Sequence, residues 1–128
     1  MNQGALEEMY TEYLRTEGYR PDLEQNGTVA FTKDSHLYVI IATDDAELFD
    51  LRARIWTLPA GADRARARKA LLAAMASTKV SKLYFYEDQV WMALQLFCDP
   101  PESFKQVFGR CLDLLETTRD RVLASLKE

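Results

Sequence analysis

The sequence predicts an α+β domain: an antiparallel sheet with the first and last helices packed on one of its faces, in the order α-β-β-β-α-β-β-α. Three observations predict it. Apolar residues recur at helical spacing near both ends of the chain, and a middle stretch is made of strong helix formers. Five other runs alternate or are β-branched, and turn-forming residues bound them. The turns joining consecutive runs are too short for crossovers, so the strands they join are antiparallel neighbours.

The first helix is predicted over Gln3 to Glu17, where Leu6, Met9, Tyr10, Tyr13 and Leu14 form one apolar stripe. Gly18 ends it and Pro21 blocks continuation. Asn26-Gly27 reads as a turn into a strand over Thr28 to Lys33, with Val29 and Phe31 on one side. Asp34-Ser35 turns the chain into a β-branched run, Leu37 to Thr43. After the turn Asp44-Asp45-Ala46-Glu47, a long third strand spans Leu48 to Leu58. Asp63 is the predicted cap of a second helix reaching about Lys79. Ser81 to Tyr86 and Gln89 to Cys98 are two strands joined at Glu87-Asp88. Asp99-Pro100-Pro101-Glu102 opens the last helix, with Asp99 as cap and Pro100 at the first helical position. Phe104, Val107, Phe108, Cys111, Leu115, Val122 and Leu126 hold one face of that helix.

Length and composition set the class. The 128 residues are 48% apolar and 28% charged, ordinary for a globular protein and too apolar for a disordered one. That suffices for one domain over residues 1–128 with a core of its own. The net charge is −4, which disfavours nucleic acid as a partner. Cys98 and Cys111 sit in no C-x-x-C, and are read as buried free thiols in a reducing cytoplasm. The first ten residues show no signal-peptide pattern. No apolar run reaches bilayer-spanning length, so no membrane partner is expected.

The segment Tyr13-Leu14-Arg15-Thr16-Glu17-Gly18-Tyr19, the strand ending Phe49-Asp50-Leu51-Arg52, the hairpin at Lys82-Leu83-Tyr84-Phe85 and the long closing helix resemble the YbjN-like family. These proteins are also called bacterial sensory transduction regulator-like, and their fold is similar to that of type III secretion chaperones. The resemblance runs over about residues 3 to 126. It implies a non-enzymatic domain, often dimeric, that handles other proteins.

The residues that could carry chemistry have plainer readings. His36 is the only histidine and is read as a solvated turn residue, because metal sites and triads need more partners than it has. Asp44, Asp45 and Glu47 lack the glycine and distal Glu of a calcium loop and read as turn carboxylates. No phosphate-loop or nucleophile-elbow motif is present. No cofactor, no metal and no catalytic residue is therefore expected. Arg64, Arg66, Arg68 and Lys69 give the second helix a basic first half, read as a solvated face with an acidic partner or phosphate as the alternative.

The strand faces carry the functional expectation. Alternation puts Phe49, Leu51, Ala53 and Ile55 on one side of the third strand, and Val90, Met92, Leu94 and Leu96 on one side of the fifth. Those aliphatic sides should meet the helices. The opposite side then gathers Arg52, Arg54, Trp56, Tyr84, Tyr86, Trp91 and Phe97, with Gln95 among them. Trp, Tyr and Arg with few acids is the composition of protein interfaces. The alternative is that the second helix covers this side and makes it a second core. The preferred function is a chaperone-like or adaptor-like protein-binding domain, a homodimer or a client-docking protein. A small-molecule or nucleic-acid binder using the aromatic face is the rival.

Overall fold

The computed structural model describes residues 1–59, 61–76 and 81–127, the side chains of Ser81 and Lys127 excepted. Helix α1 spans Gln3–Thr16, capped by Asn2, whose side chain accepts from the Ala5 N–H at 2.8 Å. Strands β1 (Asp22–Leu23), β2 (Thr28–Lys33), β3 (His36–Ile41) and β4 (Leu48–Thr57) follow. Helix α2 (Arg64–Ala76), strands β5 (Ser81–Tyr86) and β6 (Gln89–Phe97), and helix α3 (Phe104–Lys127) complete the order. The strands form a six-stranded sheet, β1-β2-β3-β4-β6-β5, antiparallel at every pairing. The α+β architecture and its element order stand as predicted, with one added strand. That strand, β1, is two residues long and too short to show alternation.

Turn chemistry sets the registers. Asp34 and Ser35 both take positive φ, 53° and 67°, which closes the hairpin with Lys33 opposite His36. His36 is thus the first residue of β3 rather than a turn residue, and it is half-buried. Gly27 has φ +78°, and a Cβ there would lie 2.4 Å from the Ala42 carbonyl oxygen and from the Gln3 side chain. That close approach lets Gln3 Nε2 donate to the Ala42 carbonyl at 2.9 Å, tying the start of α1 to the end of β3.

One helix boundary, the start of α3, was expected elsewhere. Asp63 does cap α2, its side chain accepting from the Arg66 N–H at 3.1 Å. The predicted end of this helix at Lys79 lies outside the described residues. Helix α3 does not start at Pro100. Pro101 bars Pro100 from helical ψ, and Pro100 sits extended at ψ 164°. A 3-10 turn over Pro101–Ser103 intervenes, no side chain caps it, and α3 begins at Phe104.

One hydrophobic core joins all three helices to one face of the sheet. Leu6, Tyr10 and Leu14 of α1 and Phe104, Phe108, Leu115 and Val122 of α3 meet Phe31, Phe49, Leu51 and Leu94 there. Phe104 is the centre of an aromatic cluster, edge-on to Tyr10 at 4.9 Å and to Tyr13 at 5.0 Å. Ala67, Leu71 and Ala74 of α2 join the same core, beside α3. The second helix therefore does not cover the aromatic side of the sheet. Arg119 of α3 is also buried; its Nη2 donates to the Tyr38 hydroxyl at 3.0 Å, while its Nε finds no acceptor among the described residues. Cys98 and Cys111 are both free and buried.

Candidate protein-binding face

The face turned away from the helices is built in rows across β4, β6 and β5. Arg54 stands opposite Trp91, which stands opposite Tyr84. One row on, Arg52 faces Ala93 and Ala93 faces Lys82. Asp50 faces Gln95, and Leu48 faces Phe97. Directly paired residues share a face, so Arg52, Arg54, Tyr84, Trp91 and Phe97 are brought together, with Tyr86 at the end of β5.

Trp56 is not with them. The register slips between Arg54, opposite Trp91, and Trp56, opposite Val90. Ile55 is the extra residue of a β-bulge, and a bulge interrupts alternation. Trp56 is carried to Val90's side, the helix side, where it packs half-buried against the core. There it lines a cavity of about 370 Å³ with Ala62, Ala67, Leu123 and Leu126, and with the polar Asp63 and Arg66. The adjacent apolar pair Ile55-Trp56 was the one sequence signal of this break.

Exposure divides the face. Phe97 is 78% exposed and Tyr86 61%, whereas Arg52, Arg54, Tyr84 and Trp91 are half-buried. The small side chains Ala30, Val39 and Ala93 lie buried between larger neighbours and stand outside the core cluster. Trp91 Nε1 donates to Gln89 Oε1 at 2.9 Å, which fixes the indole.

Asp50 was missed as a site residue, and it organises the rest. It is only 3% exposed, on a face that no helix of the core occupies. Arg52 donates to it twice, Nε to Oδ1 and Nη2 to Oδ2, both at 3.0 Å. Gln95 Nε2 donates to Oδ2 at 3.0 Å. The remaining Arg52 nitrogen, Nη1, donates to the Tyr84 hydroxyl at 3.3 Å, and the guanidinium carbon lies 5.8 Å from the Tyr84 ring centre. The Asp50 hydrogen bonds come first in holding the Arg52 guanidinium in its charged form, shifting its pKa above the usual arginine range. Asp50 and Arg52, two residues apart on one strand, share a face; that spacing was the available signal.

The other singled-out residues have local roles. Asp45 Oδ1 accepts from the Glu47 N–H at 3.2 Å, as a turn carboxylate does. Arg64 of α2 lies 5.1 Å from the Phe85 ring centre, and Arg66 Nη2 donates to the Leu126 carbonyl at 3.0 Å. Those two arginines thus fasten α2 to β5 and to the end of α3. Among the described residues, no group of three or more His, Cys, Asp or Glu is placed to hold a metal ion. No described helix is long and apolar enough to cross a membrane.

The architecture is that of the type III secretion chaperones. A solved structure of the Yersinia pestis type III secretion chaperone SycH, in complex with a stable fragment of YscM2, is similar to this chain with a TM-score of 0.55. The match covers 93% of this chain and 98% of SycH at 12% sequence identity. No family model and no curated protein matches the sequence.

Proposed function

We propose that this chain is a non-enzymatic, chaperone-like or adaptor-like domain over residues 1–128 that binds other protein through the open sheet face. The carrying observation is the exposure of Phe97 and Tyr86 at opposite ends of the face that Trp91, Arg52 and Arg54 share, on the side of the sheet away from all three helices. Exposed aromatics next to arginine are the usual anchors of protein contacts. The fold shared with a secretion chaperone, crystallised with a protein fragment, supports a binding role over a catalytic one. The resemblance in residues 3–126 supports placing the chain with the YbjN-like proteins of bacteria. Two buried free thiols support work in the reducing cytoplasm.

A homodimer completes the proposal, on a second surface. Leu72 and Met75 lie one turn apart on the outer side of α2, 62% and 39% exposed. Such a pair fits a two-fold contact and leaves the sheet face free. Native mass spectrometry of the purified protein tests both parts. The expected species is a dimer that retains polypeptide, loses it on Phe97→Asp and becomes monomeric on Leu72→Glu. A wild-type monomer, or retained polypeptide indifferent to Phe97→Asp, would sink the corresponding part.

A further inference from the structure

The open face carries a charge opposite to that of the chain. Over β4, β6 and β5, Arg52, Arg54 and Lys82 stand on it against one acid, Asp50; the other acid of the row, Asp22, lies three strands from Arg52 on β1. Asp50 and Arg52 pair through two hydrogen bonds and offset one another, so the net positive charge of this part of the face comes from Arg54 and Lys82. The side chain of Arg54 makes no hydrogen bond or ion pair with any described residue, and among the described residues that of Lys82 has only a long hydrogen bond, to Gln95 Oε1 at 3.5 Å. A half-buried guanidinium without a counter-charge, on a protein of net charge −4, marks a local basic island. Trp91 and Phe97 mark its two ends along β6. They lie six positions apart along the strand, roughly 20 Å, the reach of a short extended segment.

We propose that the occupant of this face is an acidic polypeptide segment with interspersed apolar side chains. Its carboxylates pair with Arg54 and Lys82, and its apolar side chains lie against Trp91 and Phe97. The inference rests on the protein-binding role proposed for this face and adds the partner's chemistry. A second copy of the chain is the poorer occupant, because a two-fold axis through the face sets Arg52 and Arg54 of both copies towards one another. Nucleic acid is poorer too: a long polyanion meets the repulsion of the whole acidic protein, whereas a short segment meets only the island.

Trp56 and Trp91 are the only tryptophans, so Trp56→Phe leaves Trp91 as the sole reporter on the face. Its emission would be followed while adding a synthetic peptide of alternating Glu and Leu, its Gln and Lys counterparts, and a thymidine oligonucleotide. The Glu peptide should shift Trp91 emission and bind about tenfold or more tighter than the Gln peptide, with affinity falling as salt rises. Arg54→Glu, with its fold checked by circular dichroism, should lose at least about tenfold for the Glu peptide. Equal binding of the Glu, Gln and Lys peptides would overturn the acidic partner while leaving the face as a protein-binding surface. Silence of Trp91 towards every peptide would overturn both. Tighter binding of the oligonucleotide than of any peptide would overturn the protein partner.

Discussion

Replacing Asp50 with Asn tests whether one buried acid organises the open face. The carboxylate accepts three charge-assisted hydrogen bonds, two from Arg52 and one from Gln95. Asparagine offers one oxygen and sets its NH₂ group against an N–H donor. A hydrogen bond to a charged group is worth about 1.5–3 kcal/mol, and a buried mismatch adds its own desolvation cost. The Arg52 side chain is 30% exposed, so water recovers part of the loss. The expected net destabilisation is about 2–3 kcal/mol, a large share of the ~5–15 kcal/mol that holds a domain folded. Urea denaturation followed by tryptophan fluorescence reads it as a midpoint lowered by roughly 1–2 M. In the same assay the double replacement Asp50→Ala with Arg52→Ala should cost less than the sum of the singles by about 1 kcal/mol or more. A change below about 0.5 kcal/mol in Asp50→Asn, the scale of an ordinary surface substitution, would refute the reasoning. So would strict additivity of the two alanines.

Phe108, 3% exposed and edge-on to Tyr13 at 5.4 Å, should cost about 3–5 kcal/mol when truncated to Ala; an unchanged denaturation midpoint would mean that α3 is not docked. Tyr38→Phe removes the hydroxyl that accepts from the buried Arg119 and should cost about 1.5–3 kcal/mol, whereas Arg119→Met should be neutral or stabilising by thermal melting. Burial, aided by the neighbouring Cys98, pushes the Cys111 thiol from 9.0 to about 11. Burial likewise leads in pushing the Tyr10 phenol from 10.0 to about 12. The folded state favours the protonated form of each. The stability they contribute is therefore full below pH 9 and is lost as pH rises through 11 and 12. Cys111→Ala should flatten the loss between pH 9 and 11, and an unaltered pH profile would contradict its burial as a thiol. Thiol-reagent kinetics should find both cysteines reduced and Cys111 the slower; a Cys98–Cys111 disulfide in cytoplasmic material would overturn the free-thiol assignment.

The sheet was legible because its strands obey a period of two and its turns are chemically explicit. Val29 and Phe31, then Phe49, Leu51 and Ala53, announce the buried face before any coordinate is known. Where local rules were broken, sequence reasoning failed in step. The Ile55 bulge reverses the side of Trp56, and a bulge leaves no periodic trace except two adjacent apolar residues. The run Pro100-Pro101 delays α3 because a residue before proline is kept from helical ψ. Helix α2 was the least decided element. It buries Ala67, Ala70, Leu71 and Ala74 on one side and exposes Leu72 and Met75 on the other, so its composition alone names no inner face. The burial of Asp50 was invisible for a different reason. An acid in a strand normally marks the wet side, and only the register shows Arg52 and Gln95 closing over it.

All three helices lie on one side of the sheet, and this separates the constraints on the chain's descent. Residues of the helix side share one packed core, so a change at Phe49 or Leu94 is felt by many neighbours at once. Among the described residues, the side chains of Tyr86, Phe97 and Arg54 make no hydrogen bond with that core, and changes at sites without shared partners add nearly independently. A lineage can therefore exchange its partner by substitution at these positions while the scaffold drifts on its own schedule. Asp50 is the exception, since it belongs to both ledgers: losing it unsettles the fold and unfastens Arg52 together. Across diverged relatives, the prediction is a variable rim around an acid–arginine pair that changes only as a pair.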